Sequence, residues 1–128
     1  ENKTEKYRDS SLSDETRREL IIRIDKVMDN IDEICDKNFS LQKLTASVGS
    51  NTSYISRIIN EHYKMSFATL LNKRRVQEAC RRMENSEKYG RLTIDAISES
   101  VGFNTRSTFT KAFRLHIGML PSEYLKLL

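Results

Sequence analysis

Two glycines sit at the same point of the same pattern, and that repetition constrains this chain more than any other feature. Leu41, Leu44 and Val48 recur at helical spacing, Gly49 interrupts them, and Ile55, Ile58 and Ile59 resume the period after a polar gap. Ile94, Ile97, Val101 and Gly102 repeat the first half at an offset of 53. Phe109, Lys111, Phe113 and His116 then match Ile55, Arg57, Ile59 and His62 at an offset of 54, because one extra residue enters the second turn. Each copy reads as helix, tight turn, helix, with glycine at the turn because it enters the left-handed region without a Cβ penalty. Such a pair buries its apolar faces together and leaves the polar face of its second helix outward, as in DNA-reading helix-turn-helix units. One copy also occurs in proteins that touch no nucleic acid; two in tandem make reading heads the better expectation.

Between the copies, Ser66 is a candidate cap for a helix over about 67–83, with Phe67, Leu70, Leu71, Ala79, Cys80 and Met83 as its inner face. At about 17 residues it spans roughly 25 Å and acts as a spacer. Residues 84–91 read as a charged loop, and Thr93 caps the next helix. Gly118 and Pro121 mark a helix end and the first turn of a short last helix. Upstream, residues 1–11 read as a polar tail. Ser13 is then a candidate cap for an amphipathic helix reaching Cys35 or Asp36, with Ile21, Ile24, Met28, Ile31 and Cys35 as its stripe. That stripe is expected to pack on the domain or an upstream segment, with dimerisation as the alternative. No strand pattern stands out, so the expected fold is all-α: two helix-turn-helix subdomains of homeodomain-like form, at about 40–62 and 93–116, joined by the linker helix and preceded by one extra helix.

Charge sharpens the functional reading. The 128 residues carry a formal net charge of +4, but residues 1–38 hold eight Lys and Arg against eleven Asp and Glu, while the rest hold fourteen against seven. The basic excess lies with the repeats, as a polyanion partner requires, although a solvated basic surface would look the same. Catalysis is not expected, because His62, His116, Cys35 and Cys80 are scattered. No zinc spacing or phosphate-binding glycine loop appears, so neither a metal nor a cofactor is expected. The two cysteines read as apolar filling in a reducing, cytoplasmic compartment, and the two histidines as structural residues near helix C-termini, where positive charge is favoured.

Two helix-turn-helix units, a long linker helix and a closing Gly-x-x-Pro segment resemble the DNA-binding domain of the AraC/XylS family of bacterial transcription regulators. The resemblance covers Phe39 to about Leu127. It rests on Ser56-Arg57-Ile58-Ile59, Phe67, Arg75 to Ala79, Ile94 to Ile97, Val101-Gly102-Phe103, Phe109 with Phe113, and Gly118 with Pro121-Ser122. It implies sequence-specific binding of double-stranded DNA in the major groove, by Ser53, Ser56 and Arg57 in the first unit and Arg106, Ser107, Thr108, Thr110 and Lys111 in the second. Arg57 and Arg106 lead that set, because a guanidinium pairs bidentately with guanine. Arg75 is expected to tie the linker to a carboxylate or to helix ends. Tyr54 either reaches a phosphate or packs at the turn.

Four positions depart from the family pattern: Thr45 and Ser98 replace a tight-packing alanine, Lys64 a helix-ending glycine, and Leu120 a Ser or Thr cap. The division of the chain is expected at residue 38, with 1–38 an acidic coupling element and 39–128 the DNA-binding domain. The start at Glu1 makes a longer protein the expectation. Its missing part would hold a sensor domain, and a second copy of the chain and RNA polymerase are further candidate partners. The rival function is a helical protein-interaction module without DNA binding.

Overall fold

The computed structural model describes residues 3–128, with side chains described from residue 13 onward. Among these residues nine helices and no strand are found: α1 (Lys3–Met28), α2 (Ile31–Ile34), α3 (Leu41–Val48), α4 (Thr52–Tyr63), α5 (Phe67–Glu84), α6 (Ser86–Tyr89), α7 (Ile94–Ser100), α8 (Arg106–Ile117) and α9 (Pro121–Lys126). The two helix-turn-helix units are α3–α4 and α7–α8, and α5 is the linker.

Caps set the boundaries. Oxygens of Ser40, Asn51, Ser66, Thr93 and Thr105 each accept the backbone N–H three residues on, opening α3, α4, α5, α7 and α8. Gly49, at φ 77°, ends α3, and Gly118, at φ 87°, ends α8. Lys64 takes the left-handed conformation at the end of α4, φ 61°, which costs a residue with a Cβ more than it would cost glycine. Leu120 has no side-chain acceptor for α9, but its backbone N–H donates to Glu123 Oε1 at 3.3 Å, so half of a capping box remains.

The N-terminal expectations need correction. Helix α1 runs through Ser13, which is therefore no cap, and begins at Lys3, so most of the expected tail is helical; residues 1–2 lie outside the described residues. The polar segment holds Lys, Glu and Arg without Gly or Pro, and such residues extend a helix readily. The helix also stops short of Cys35, because Asn30 turns the chain and caps α2 by accepting from Glu33 N–H. The expected loop at 84–91 likewise contains α6, opened by Asn85.

Two apolar clusters form the interior, and α5 belongs to both. Leu20, Ile24 and Met28 of α1 and Ile34 pack with Leu44, Val48, Ile55, Ile58, Ile59, Leu70 and Leu71 in the first. Val76, Ala79, Met83, Ile97, Val101, Phe103, Phe109, Ala112 and Phe113 form the second. Fully burying one such Ile, Leu or Phe stabilises by about 1.5–3 kcal/mol, so α1 is a structural member of the first unit and its stripe is covered within the chain. The extra residue of the second turn lets Phe103 enter the core, where its ring meets Phe109 edge-on at 5.2 Å.

Between the clusters lies Arg75. It is buried, and it donates from Nε to Ile34 O at 2.7 Å and from Nη2 to Asp36 O at 2.7 Å. The guanidinium thus closes the C-terminal end of α2 and packs under the second turn, against Gly102. Glu78, also buried, receives Arg81 Nε and Arg82 Nε at 2.8 Å each, and Arg82 continues to Ser100 O and Oγ at the end of α7. Helix ends are therefore the partner of Arg75, in line with the expectation for it. Val76, Arg75 and Glu78 complete an inner face that the apolar pattern traced only in part.

The repeat-equivalent glycines should respond differently to alanine. A Cβ on Gly49 meets nothing within 4 Å, whereas one on Gly102, at φ 105°, falls 2.8 Å from both Arg75 Nε and Cys35 O. In urea denaturation Gly49→Ala should cost about 1 kcal/mol, for left-handed strain alone, and Gly102→Ala about 3 kcal/mol or more. Equal losses would contradict the close approach. Thr45 gives a second test, since its buried Oγ1 has no hydrogen-bond partner. Thr45→Ala removes that unpaired group and should leave the unfolding free energy in urea unchanged or raise it by up to about 1 kcal/mol.

Candidate nucleic-acid interface

The outward faces of α4 and α8 follow from their caps and cores. Ile55, Ile58 and Ile59 turn one side of α4 inward, so Ser53 and Arg57 are exposed and Ser56 is half-buried at the edge. On α8, burial of Phe109, Ala112 and Phe113 leaves Arg106, Ser107, Thr108 and Lys111 exposed and Thr110 half-buried. All eight candidates thus lie on the second helices of the two units, three on α4 and five on α8. Arg106, Ser107, Thr110, Lys111, Arg114 and Leu120 line one shallow groove on α8. Thr108 is less free than its exposure implies, because its hydroxyl pairs with that of the capping Thr105 at 2.8 Å.

Arg114 was absent from the expected set, as was its repeat equivalent Asn60. Both are exposed, and Arg114 follows Ser107 and Lys111 at helical spacing, a signal present in the sequence. Asn60 is partly occupied, donating from Nδ2 to Ser56 O at 2.9 Å. Tyr54 packs on the first core, and the Arg57 guanidinium lies 5.9 Å from its ring centre.

Charged partners separate the two arginines from the rest. Arg57 Nε lies 3.7 Å from Glu61 Oε1, and Glu61 Oε2 lies 3.5 Å from Arg17 of α1. Arg106 Nε lies 3.4 Å from Asp95 Oδ1 on α7. Helix α1 is further tied to the first unit by Arg23 donating to Val48 O at 3.2 Å and by Tyr63 donating to Asp25, and Asp29, just past its end, pairs with Arg74 of α5 at 2.7 Å. The phenol of Tyr63 is raised above its usual pKa by burial and then by the Asp25 carboxylate.

The histidines part company. His62 is exposed and meets the Tyr63 ring edge-on, whereas the Nε2 of His116 is buried without a partner. Burial first, and Lys73 second, push His116 below its usual pKa. Desolvation and a nearby ammonium thus act against the positive charge that a helix C-terminus favours there. Both cysteines are half-buried free thiols, raised above their usual pKa mainly by burial, which suits filling rather than reactivity.

A family profile described as "Helix-turn-helix domain" matches residues 44–127. The chain belongs to the AraC-type helix-turn-helix family. It is a DNA-binding domain of the kind carried by transcriptional regulators, a family of binding rather than catalytic domains. It is 32% identical over 74 residues to the raffinose operon transcriptional regulatory protein RafR of Pediococcus pentosaceus, covering 58% of this chain and 25% of that protein. It is 30% identical over 88 residues to the uncharacterized HTH-type transcriptional regulator YdiP of Escherichia coli K12, covering 69% and 28%. The chain thus spans little more than a quarter of the length of these relatives. Its fold is similar to the C-terminal domain of AraT, a response regulator from Geobacillus stearothermophilus, with TM-score 0.69, 23% identity, and 86% and 85% of the two chains covered. A protein of unknown function from Listeria innocua aligns with TM-score 0.64, 21% identity, and 75% and 87% covered. No helix among the described residues is long and apolar enough to cross a membrane.

The titrating groups of this AraC-type domain predict acid sensitivity. Burial alone would raise Glu78, but hydrogen bonds from Arg81 and Arg82 outweigh it and hold the carboxyl below its usual pKa. His116 is also depressed. Each contributes stability that is complete above its unfolded pKa, about 6.5 for His and 4.3 for Glu, and is lost as pH falls. Thermal midpoints should fall between pH 7.5 and 5.5 in the wild type and less so in His116→Gln. Glu78→Gln should flatten only the fall below about pH 4.3. An unaltered pH profile in His116→Gln would show that this histidine does not carry the first phase.

Proposed function

We propose that the domain reads double-stranded DNA sequence-specifically, inserting α4 and α8 into successive major-groove segments to regulate bacterial transcription. One observation carries this reading: both second helices are capped and backed by their own cores, and each presents a cation among short hydroxyl side chains on its exposed face. In the major groove an Arg pairs bidentately with guanine O6 and N7, whereas Ser and Thr discriminate weakly or take phosphate. Arg57 and Arg106 are therefore the specificity residues. Ser53, Ser56, Ser107, Thr108, Thr110 and Lys111 supply the remaining base and phosphate contacts. Arg114 adds charge near the backbone.

In this reading residues 39–128 carry the DNA contacts and residues 1–38 couple them to the remainder of the regulator. The acidic balance of 1–38 argues against a phosphate contact there, and its polar ties to α3, α4 and α5 through Arg17, Arg23, Asp25 and Asp29 give the coupling a route. A sensor domain elsewhere on a longer protein, a second copy of the chain and RNA polymerase are the proposed partners, in the cytoplasm. The greater length of the curated relatives supports a larger regulator.

Selection of bound duplexes from a random pool tests the reading, and should return a site with two elements about one turn apart, roughly 10–10.5 base pairs. Arg57→Ala and Arg106→Ala should each cost about 1–3 kcal/mol on that site and relax preference at one base pair. Lys111→Ala should either do the same or, as a phosphate contact, lower the salt dependence by about one ion. Equal losses for Arg57→Ala on selected and random duplex would remove it from the specificity set.

A further inference from the structure

Each reading arginine faces a carboxylate at the same edge of its guanidinium. Arg57 meets Glu61 through Nε at 3.7 Å, one turn along α4, and Arg106 meets Asp95 through Nε at 3.4 Å, across the turn from α7. The two carboxylates come from different places in the repeat: position 61 corresponds to Leu115, and position 95 to Gln42. The arrangement has therefore been reached twice by different residues. Nε is also the nitrogen that bidentate pairing with guanine O6 and N7 can leave unused, since the two terminal nitrogens suffice for the fork.

An acidic side chain on a DNA-facing surface carries a cost, because it repels phosphate at every sequence. A carboxylate that limits the guanidinium to one orientation offsets that cost only on a site with guanine in the matching place. We propose that Glu61 and Asp95 are positioning residues for guanine recognition by Arg57 and Arg106, acting on specificity rather than on fold stability. This rests on the DNA-reading function proposed above. All four side chains are more than half exposed, so neither pair matters much to stability. Glu61 has a second tie, since its other carboxylate oxygen faces Arg17. Helix α1 thereby reaches, through Arg17, the same carboxylate that faces Arg57.

The test uses the whole 128-residue chain, the duplex selected from a random pool, and the same duplex with each guanine pair replaced. Glu61→Gln and Asp95→Asn should lower the preference for guanine under Arg57 and Arg106, respectively, by about twofold to fivefold, the range of an exposed ion pair. Affinity for random duplex should be unchanged or higher, because a phosphate-repelling charge has gone. That opposite movement separates positioning from folding, since a partly unfolded domain loses affinity on every duplex. Asp95→Glu should keep most of the preference, and Asp95→Asn should have no further effect on it in an Arg106→Ala background. An undiminished guanine preference in both Glu61→Gln and Asp95→Asn would overturn the proposal while leaving the arginines as readers. So would an equal loss from Asp95→Asn with and without Arg106. A wild-type protein with no guanine preference at either place would overturn the reading of the arginines together with it.

Discussion

The buried Arg75 guanidinium is the point on which the two halves of this domain depend. It stands on α5 between Leu71, the last linker residue of the first core, and Val76, the first of the second. Its two hydrogen bonds reach carbonyls at the end of α2, and its face closes over Gly102 in the second turn. A buried cation is costly unless its donors are satisfied. Here burial lowers the Arg75 pKa, with Cys35 and Asp36 acting in the opposite direction, yet a guanidinium remains charged at any physiological pH. Lysine would supply one point charge where a planar fork reaches two carbonyls, so the residue type follows from the geometry.

Glu78, Arg81 and Arg82 extend this polar seam one turn further along α5 and end it at the Ser100 carbonyl. The linker is thus more than a spacer. One face of it carries apolar residues for two cores, and the same face carries the charged groups that fix the helix ends of both units. The relation of one reading head to the other is set by this helix and its ties.

Much of this was legible in the sequence because it rests on local chemistry. Helical period, the capping Ser66 and Thr93, and Gly49 and Gly118 each act within a few positions of themselves, and the tandem copy made the pattern recognisable. The outward face of each second helix followed by subtraction, once its isoleucines and phenylalanines had been turned inward. What escaped depends on distant partners. That Arg75 and Glu78 are buried could not be read from an apolar pattern, because charged residues count there as solvent-facing. The helical start at Lys3 was missed because a polar run without Gly or Pro is compatible with either state. The depressed His116 depends first on burial in packing that no local rule supplies, and second on Lys73, 43 positions earlier. The ion pair at Arg106 escaped for the same reason, since Asp95 and Arg106 meet only after the turn has formed; that of Arg57 with Glu61, four positions on along one helix, was legible by spacing and was overlooked.

Shared membership of α5 in two cores bears on how the domain opens. Amides in its first turns should exchange with solvent at the free energy of opening the unit that holds Leu44 and Ile58, and those in its last turns at that of the unit holding Phe109 and Phe113. A continuous helix would then contain a step in protection near its middle, at the arginine that spans the seam. A force or binding event that loosened α1 would reach one side of that step first. The first reading head could soften while the second stayed folded, still holding its half of a site.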